Sequence, residues 1–428
     1  MTKPLRIAIA GLGTVGAGII KIVQKHGDLL AARAGRPIEI IAISARSRSK
    51  DRGVDLSAYA WEDDPVALAR RDDVDLLIEV MGGEDGPAKA ATETALAAGK
   101  HVVTANKAML AMNGHALAEL AETNNVALRY EAAVAGGIPI VKALTEGLAG
   151  NGIERVMGVM NGTCNYILTV MEDTGADYAD VLKDAQDLGY AEADPAVDVG
   201  GIDAAHKLAL LAATAFGTKV DFAGVKIEGI ERIELTDIKD AADMGYRIKL
   251  LGVARMNADG LEQRMQPCLV PANSPLGQLE GVTNMVVVDG DFVGQTVYQG
   301  PGAGEGPTAS AIMGDVMDIA RGLVIPVFGQ PANTLTQAAR SSVGADAAYY
   351  LRFTLDDQPG VLAVITAILG EHGISINRMR QYDHADNKAP VLIVTHKVAR
   401  TTLDGALNVI DASDVSLAAP VAIRIETV

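Results

Sequence analysis

The chain holds 428 residues, with 54 acidic against 37 basic side chains and a formal net charge of −17. At about 150 residues per domain that length allows two or three domains with cores of their own, and the acidic balance argues against nucleic acid or an anionic membrane as partner, since both are gripped through broad positive surface. The two cysteines, Cys164 and Cys268, exclude a disulfide scaffold and any all-thiolate metal centre, and fit a reducing cytoplasm.

Residues 5–10, 38–44, 74–80, 100–104 and 126–131 are short apolar runs separated by helix-like stretches, the first of them 17–25. Unbroken apolar strands alternating with helices predict a doubly wound parallel sheet covered on both faces. Beyond about residue 136 the pattern changes: strand-like 155–160 and 285–288 mix with helical segments beginning at Tyr166 and spanning 202–217, as in an inserted α+β domain. Glycines at 300–306 open a helix over 308–321, expected to return to the first domain. Residues 331–348 have the Pro, Asn, Ser and Gly composition of a tether. The remainder, 349–428, reads as strand 349–355, helix 360–370, strands 375–382 and 391–395, helix 403–409 and strand 421–426, the βαββαβ order of a ferredoxin-like module. The resulting division is 1–135 with about 305–330 for a dinucleotide, 136–304 for substrate and dimerisation, 331–348 as link, and 349–428. No apolar run approaches the roughly 18 residues of a membrane helix, and the N-terminal apolar run leads into glycines rather than a cleavage site.

Gly11-Leu12-Gly13-Thr14-Val15-Gly16 lies directly after the first strand and before a helix. Glycine at 11 permits the tight turn, at 13 it lets backbone N–H groups reach a pyrophosphate, and at 16 it brings helix and strand together. The second strand ends without the carboxylate that would take a ribose 2′-hydroxyl. It runs instead into Arg46, Arg48 and Lys50, cations suited to the 2′-phosphate of NADP(H) over NAD(H), or else a solvated basic loop. Thr104 and Lys107 follow the fourth strand, where the crevice of such a sheet opens. The densest polar cluster, 189–207, places Tyr190, Glu192, Asp194, Asp198, Asp203 and Lys207 together, with Asp203 and Lys207 at i and i+4 on one helical face. It reads either as an acidic loop with one surface ion pair or as a pocket for a small zwitterion. Asn161 to Asn165, with Thr163 and Cys164 among them, look like a turn entering a helix; Cys164 is either a nucleophile at a helix N-terminus or a small packed residue. Seven histidines, at 26, 101, 115, 206, 372, 384 and 396, show no metal-ligand spacing.

With these motifs in order, the chain resembles the homoserine dehydrogenases, in the long bacterial form with a C-terminal ACT domain. The resemblance implies reversible reduction of L-aspartate 4-semialdehyde to L-homoserine with NADPH or NADH, towards threonine and methionine. It implies Lys207 as proton donor and Glu192 as holder of the substrate amino group. Asp198, Asp203, Tyr190 and Thr163 match substrate-lining positions, and Lys107 a lysine near cofactor and substrate. Gly11 to Gly16, Arg46, Lys50, Thr104, Lys107, Gly302 and Gly304 match cofactor-binding positions. Backbone carbonyls at Glu131, Val134, Gly136 and Ile138 match a site for a monovalent cation such as sodium. In the ACT domain Asp356, Gly360 and Asn377 match an effector loop, which implies an amino-acid effector such as threonine and a homo-oligomer, dimer or tetramer. The chemistry agrees: hydride delivery builds negative charge on the aldehyde oxygen, and a placed ammonium such as that of Lys207, oriented by Asp203, donates a proton as it grows. Two other readings are an aspartate-semialdehyde dehydrogenase using Cys164 and a non-catalytic sensor of NADP and an amino acid.

Overall fold

The computed structural model describes residues 3–192, 194–341, 344–381 and 388–427. Ala193 of the acidic cluster, residues 342–343 of the link, the last residue of the strand expected over 375–382, and His384 lie outside the described residues.

The first module runs β1 (Leu5–Ala10), α1 (Thr14–Ala34), β2 (Ile38–Ser44), β3 (Ala60–Glu62), α2 (Pro65–Arg70), β4 (Leu76–Glu79), α3 (Pro87–Ala97), β5 (His101–Thr104), α4 (Lys107–Thr123) and β6 (Leu128–Arg129). Its six strands are parallel, in the order β3-β2-β1-β4-β5-β6. The order reverses between β1 and β4, whose residues are almost all buried, so the crevice at the carboxyl ends of these two strands is where such sheets bind ligands. The short edge strand β3 carries too few apolar residues to stand out in the sequence.

The middle of the chain supplies α5 (Ile140–Lys142), β7 (Ile153–Val159), α6 (Gly162–Thr174), α7 (Tyr178–Asp187), α8 (Ala196–Val199), α9 (Ile202–Phe216), β8 (Lys226–Ile227), α10 (Leu235–Asp243), β9 (Tyr246–Asn257), β10 (Gly260–Pro271), β11 (Thr283–Gly290) and β12 (Gly294–Pro301). Helix α6 begins four residues before the expected Tyr166, because Asn161 caps it: its side-chain oxygen accepts from the Cys164 N–H at 2.8 Å. Helix α11 (Glu305–Ala320) returns to lie along α1, where Gly18 leaves no room for a side chain; a Cβ there would stand 3.1 Å from that of Ala309.

The C-terminal module follows as β13 (Ala348–Asp356), α12 (Val361–Glu371), β14 (Ile376–Gln381), β15 (Lys388–Thr395), α13 (Arg400–Asp411) and β16 (Val421–Ile425). Its sheet is continuous with that of the middle domain, in the order β12-β11-β7-β9-β10-β16-β13-β15-β14, with β8 paired to β10. The joint is a parallel pairing of Cys268 with Arg424 and Leu269 with Ile425. A buried ionic seam reinforces it: Arg264 donates to Glu262 at 3.0 Å and to Glu426 at 2.5 Å, and Arg424 to Glu426. The segment with tether-like composition is pinned as well. Thr336 bridges to Thr218 and Arg340 to Leu261, and the Arg340 guanidinium donates twice to Asp221 at 2.7 Å.

Candidate active site

Two clefts open around the β1–β4 crevice. One, of about 670 Å³, is lined by Gly11, Leu12, Gly13, Arg46, Ser47, Lys50, Arg52 and the turn after β4. Gly11 has φ +107°, and a Cβ there would stand 2.6 Å from the Val80 carbonyl oxygen, so only glycine makes this turn. A Cβ on Gly13 would meet nothing within 4 Å, so its absence leaves the backbone open to a ligand. No side chain caps α1, so the N–H groups of its first turn face the cleft unclaimed by a cap. Arg52 binds the two walls together, donating to the carbonyls of Leu12 at 2.9 Å, Lys50 at 2.6 Å and Ser47 at 2.5 Å. These features fit a dinucleotide whose pyrophosphate lies at α1 and whose adenosine ribose lies beside Arg46 and Lys50.

The second cleft, of about 650 Å³, is shared by the first and middle domains and is lined by Val15, Ala105, Lys107, Gly136, Asn161, Thr163, Tyr190, Glu192, Asp198, Asp203, Lys207, Asn284, Gly302 and Gly304, among others. Its ionic centre is Asp203. Lys207 Nζ donates to Asp203 Oδ2 at 2.7 Å and to the Met160 carbonyl at 2.8 Å, and Lys107 Nζ lies 3.1 Å from Asp203 Oδ1. Lys207 is only 8% exposed. Burial pushes the Asp203 carboxyl up, but the two lysines outweigh it and hold the group well below the usual carboxylate range. Asn161 ties a second carboxylate to the first, its amide donating to Asp198 Oδ1 at 3.0 Å and to Asp203 Oδ2 at 3.2 Å. Partial burial raises the Asp198 carboxyl, against the pull of Asn161. Thr163 donates its hydroxyl to the Tyr190 carbonyl at 2.6 Å, and the Tyr190 ring meets Tyr166 edge-on, 5.0 Å between centroids. Glu192 is exposed at the mouth.

The i, i+4 pair is therefore an interior one, because α9 packs its apolar face into the core and carries Lys207 with it. Several expected positions stand behind the clefts. Thr104 is fully buried, its hydroxyl donated to Glu79 at 2.6 Å, and Ala105 lines the cleft in its place. Gly16 packs against the Gly11 carbonyl, and Thr14 opens α1. Of the four carbonyl positions, Glu131, Val134 and Ile138 are buried and Gly136 reaches the cleft. Ala135 and Gly136 both have positive φ, and a Cβ on Gly136 would stand 2.3 Å from the Gly302 carbonyl oxygen, so this turn is pressed against the glycine loop. Asp356 and Gly360 share one loop of the C-terminal module, whereas Asn377 sits at a bulge in β14, across β15 from them.

Cys164 does not support covalent chemistry. It is fully buried, its thiol donates to the Asp198 carbonyl at 3.3 Å, and burial pushes its pKa well up. Two residues escaped the sequence reading, Arg52 and Asn284, and Asn161 reads there only as part of a turn entering a helix. Asn284 is 1% exposed, and its Oδ1 has no hydrogen-bond partner among the described residues. Among those residues no group of three or more His, Cys, Asp or Glu side chains could hold a metal ion, and no helix is long and apolar enough to cross a membrane.

Comparison with known proteins converges on one family. The homoserine dehydrogenase family model matches residues 139–317, the homoserine dehydrogenase NAD-binding-domain model residues 11–131, and the ACT domain model residues 349–414. A homoserine dehydrogenase of Neisseria gonorrhoeae is 44% identical over 421 residues, 96% of either chain. The crystal structure of a homoserine dehydrogenase from Thiobacillus denitrificans superposes with a TM-score of 0.92 at 39% identity, covering 99% of both chains. A hyperthermophilic archaeal homoserine dehydrogenase solved in complex with NADPH superposes with a TM-score of 0.65 at 25% identity, over 75% of this chain and 99% of its own.

Proposed function

The chain belongs to the homoserine dehydrogenase family of NAD(P)-dependent oxidoreductases, and on that premise we propose how its residues divide the work: Lys207 gives the proton, Asp203 and Met160 aim it, and Glu192, Asp198, Tyr190 and Thr163 hold the substrate. The observation that carries this reading is a count of donors. An ammonium has three N–H groups. Two are taken, by the Met160 carbonyl and by Asp203, which leaves the third for the oxygen of L-aspartate 4-semialdehyde.

When bound, the nicotinamide supplies the hydride in reduction and takes it up in oxidation. Lys207 donates its proton to the aldehyde oxygen as negative charge grows there, and takes it back when L-homoserine is oxidised. Asp203 keeps the ammonium pointed and balances Lys107. Glu192 and Asp198 offer carboxylates to the substrate ammonium, a charge pattern that suits an amino aldehyde and repels a dianion. Homoserine oxidation followed by nicotinamide absorbance, wild type against Lys207→Ala, tests the assignment; normal turnover by the variant would end it.

The finer assignments rest on the same geometry. Arg46 and Lys50 support NADP(H) over NAD(H), as does the NADPH bound to the archaeal relative. The strained turn at Ala135 and Gly136 supports a monovalent cation, sodium for instance, held by the carbonyls of Glu131, Val134, Gly136 and Ile138. The ACT domain supports control by an amino acid such as threonine through Asp356, Gly360 and Asn377; activity indifferent to millimolar threonine would remove it. The places of β12 and β14 at the two ends of the sheet, among the described residues, support a homo-oligomer, dimer or tetramer, and the two unpaired thiols suit a reducing cytoplasm. A place in threonine and methionine synthesis follows from the product.

A further inference from the structure

The cleft shared by the first and middle domains contains a polar group that the lysine mechanism leaves unused. Asn284 stands second in β11, and side chains two apart along a strand share a face. It therefore lies on the face that Val286 and Val288 turn to the core holding Ala204, Ala205 and Leu208 of α9. At that end of the strand the core gives way to the cleft, and Asn284 lines it beside Gly302 and Gly304. Gly302 has no room for a side chain, because a Cβ there would fall on the Asn284 amide, so the amide lies directly against the glycine loop. Asn284 is almost wholly buried, and its Oδ1 accepts from no donor among the described residues. A buried amide oxygen left in that state is costly. The donors around the reaction centre are committed elsewhere. Lys107 and Lys207 converge on Asp203, Asn161 gives its amide to Asp198 and Asp203, and Thr163 gives its hydroxyl to the Tyr190 carbonyl.

The missing donor must then come from a bound molecule, and the chemistry of the two reactants selects one. The substrate carboxylate offers no N–H, and the substrate ammonium is claimed by Glu192 and Asp198. The nicotinamide carries a carboxamide with two N–H donors, and its ring must enter this cleft for a hydride to reach the aldehyde carbon beside Lys207. We propose that Asn284 Oδ1 accepts a hydrogen bond from the nicotinamide carboxamide, which makes Asn284 a cofactor-binding residue. This rests on the reading of the cleft as the place where nicotinamide and substrate meet. A carboxamide held at one edge fixes the rotation of the ring about its bond to ribose, so that one face of the ring is always turned to the aldehyde. The carboxamide is common to NAD and NADP, so the contact is independent of Arg46 and Lys50.

The test compares NADP with its 3-acetylpyridine analogue, which keeps the carbonyl oxygen but carries a methyl group where NADP carries the amide nitrogen. The full-length protein is titrated calorimetrically with each, without substrate. Wild type should bind NADP about tenfold more tightly than the analogue. Asn284→Leu and Asn284→Ala should each bind NADP about tenfold more weakly than wild type and should hold the two dinucleotides alike. NAD and its own 3-acetylpyridine analogue should show the same preference and the same loss. Thermal melts check folding; Asn284→Ala, which only removes atoms, keeps the test valid if Asn284→Leu misfolds, and the wild-type comparison needs no variant. The proposal is overturned if wild type binds both members of a pair alike, or if a folded variant keeps the wild-type preference. Because no turnover is measured, either result strikes the Asn284 contact alone, whereas normal turnover by Lys207→Ala strikes the lysine assignment alone.

Discussion

Asp203 and Lys207, one helical turn apart on α9, form a buried ion pair of 2.7 Å whose second carboxylate oxygen faces Lys107 at 3.1 Å. One carboxylate thus holds two ammonium groups at the mouth of the dinucleotide crevice. If Lys207 is the proton donor, Lys207→Ala should lower kcat by about 10²–10⁴ while leaving the KM for NADP nearly unchanged. Reduction needs the N–H and oxidation needs the lone pair, so wild-type oxidation should gain and reduction should fade on the alkaline side. Parallel pH profiles in the two directions would contradict the role.

Asp203→Asn leaves Lys207, which is almost wholly buried, without its counter-charge. Removing one partner of a buried pair costs roughly 3 kcal/mol, and thermal melts at neutral pH should show a loss of that order. The sign with pH follows from the depressed carboxyl: burial opposes its ionisation, and Lys207 and Lys107 more than offset that. The contribution is therefore complete above the unfolded pKa of about 3.9 and is lost only as pH falls through the lower folded value. The gap between wild type and variant should close in strong acid; a gap constant from neutral to acid pH would place the effect elsewhere.

What could be read in advance was local. The GLGTVG turn and the spacing of Asp203 and Lys207 carry their meaning within a few residues, because turn chemistry and helical periodicity are short-range. Arg52 could not be read this way: it reaches the Leu12 carbonyl 40 positions away, and nothing around it distinguishes it from Arg46 or Lys50. Asn161 announced a turn but not its bridge to Asp198 and Asp203, which requires α6, α8 and α9 to converge. The fusion of two sheets through Cys268 and Arg424 is a register between residues 156 positions apart in sequence and has no local signature.

The basic loop after β2 gives a sharper expectation for the cofactor. Arg46 and Lys50 line the cleft, whereas Arg52 spends its donors on backbone carbonyls. Replacing Arg46 and Lys50 together by alanine should raise the KM for NADP about 10- to 100-fold and leave that for NAD nearly unchanged, the loss expected for charge-assisted bonds to a phosphate. Arg52→Ala should weaken both cofactors alike, because it frees the turn itself. Equal losses for NADP and NAD in the double variant would mean that the loop is only solvated surface.

Cys164→Ser separates packing from covalent catalysis. The thiol lies against the Asp198 carbonyl at 3.3 Å, and a serine hydroxyl can donate to the same oxygen. Activity should persist within about threefold, with a stability cost of about 1–2 kcal/mol for burying the hydroxyl. A drop of about 10²-fold or more in kcat, with the fold intact, would bring the nucleophile back into consideration.

Glu131 links pH to the stability of the wall between the clefts. Its two carboxylate oxygens accept from the N–H groups of Val141 at 2.9 Å and Lys142 at 2.8 Å, and its own N–H donates to Asp315 at 2.9 Å. Burial and then the neighbouring Asp315 push its pKa up to about 7, against the hydrogen bonds that favour the ion. Below the ordinary glutamate value of about 4.5 both folded and unfolded chains carry the proton; between 4.5 and about 7 only the folded chain keeps it, so stability falls as pH rises through that window and levels off above it. At 1.36 kcal/mol per unit the loss is roughly 3 kcal/mol. Glu131→Gln cannot ionise and keeps one acceptor oxygen for two N–H donors. It should be less stable than wild type at pH 5 and should lose less between pH 5 and pH 8, so the two melting curves converge as pH rises. Curves that stay parallel would show that Glu131 is ionised throughout.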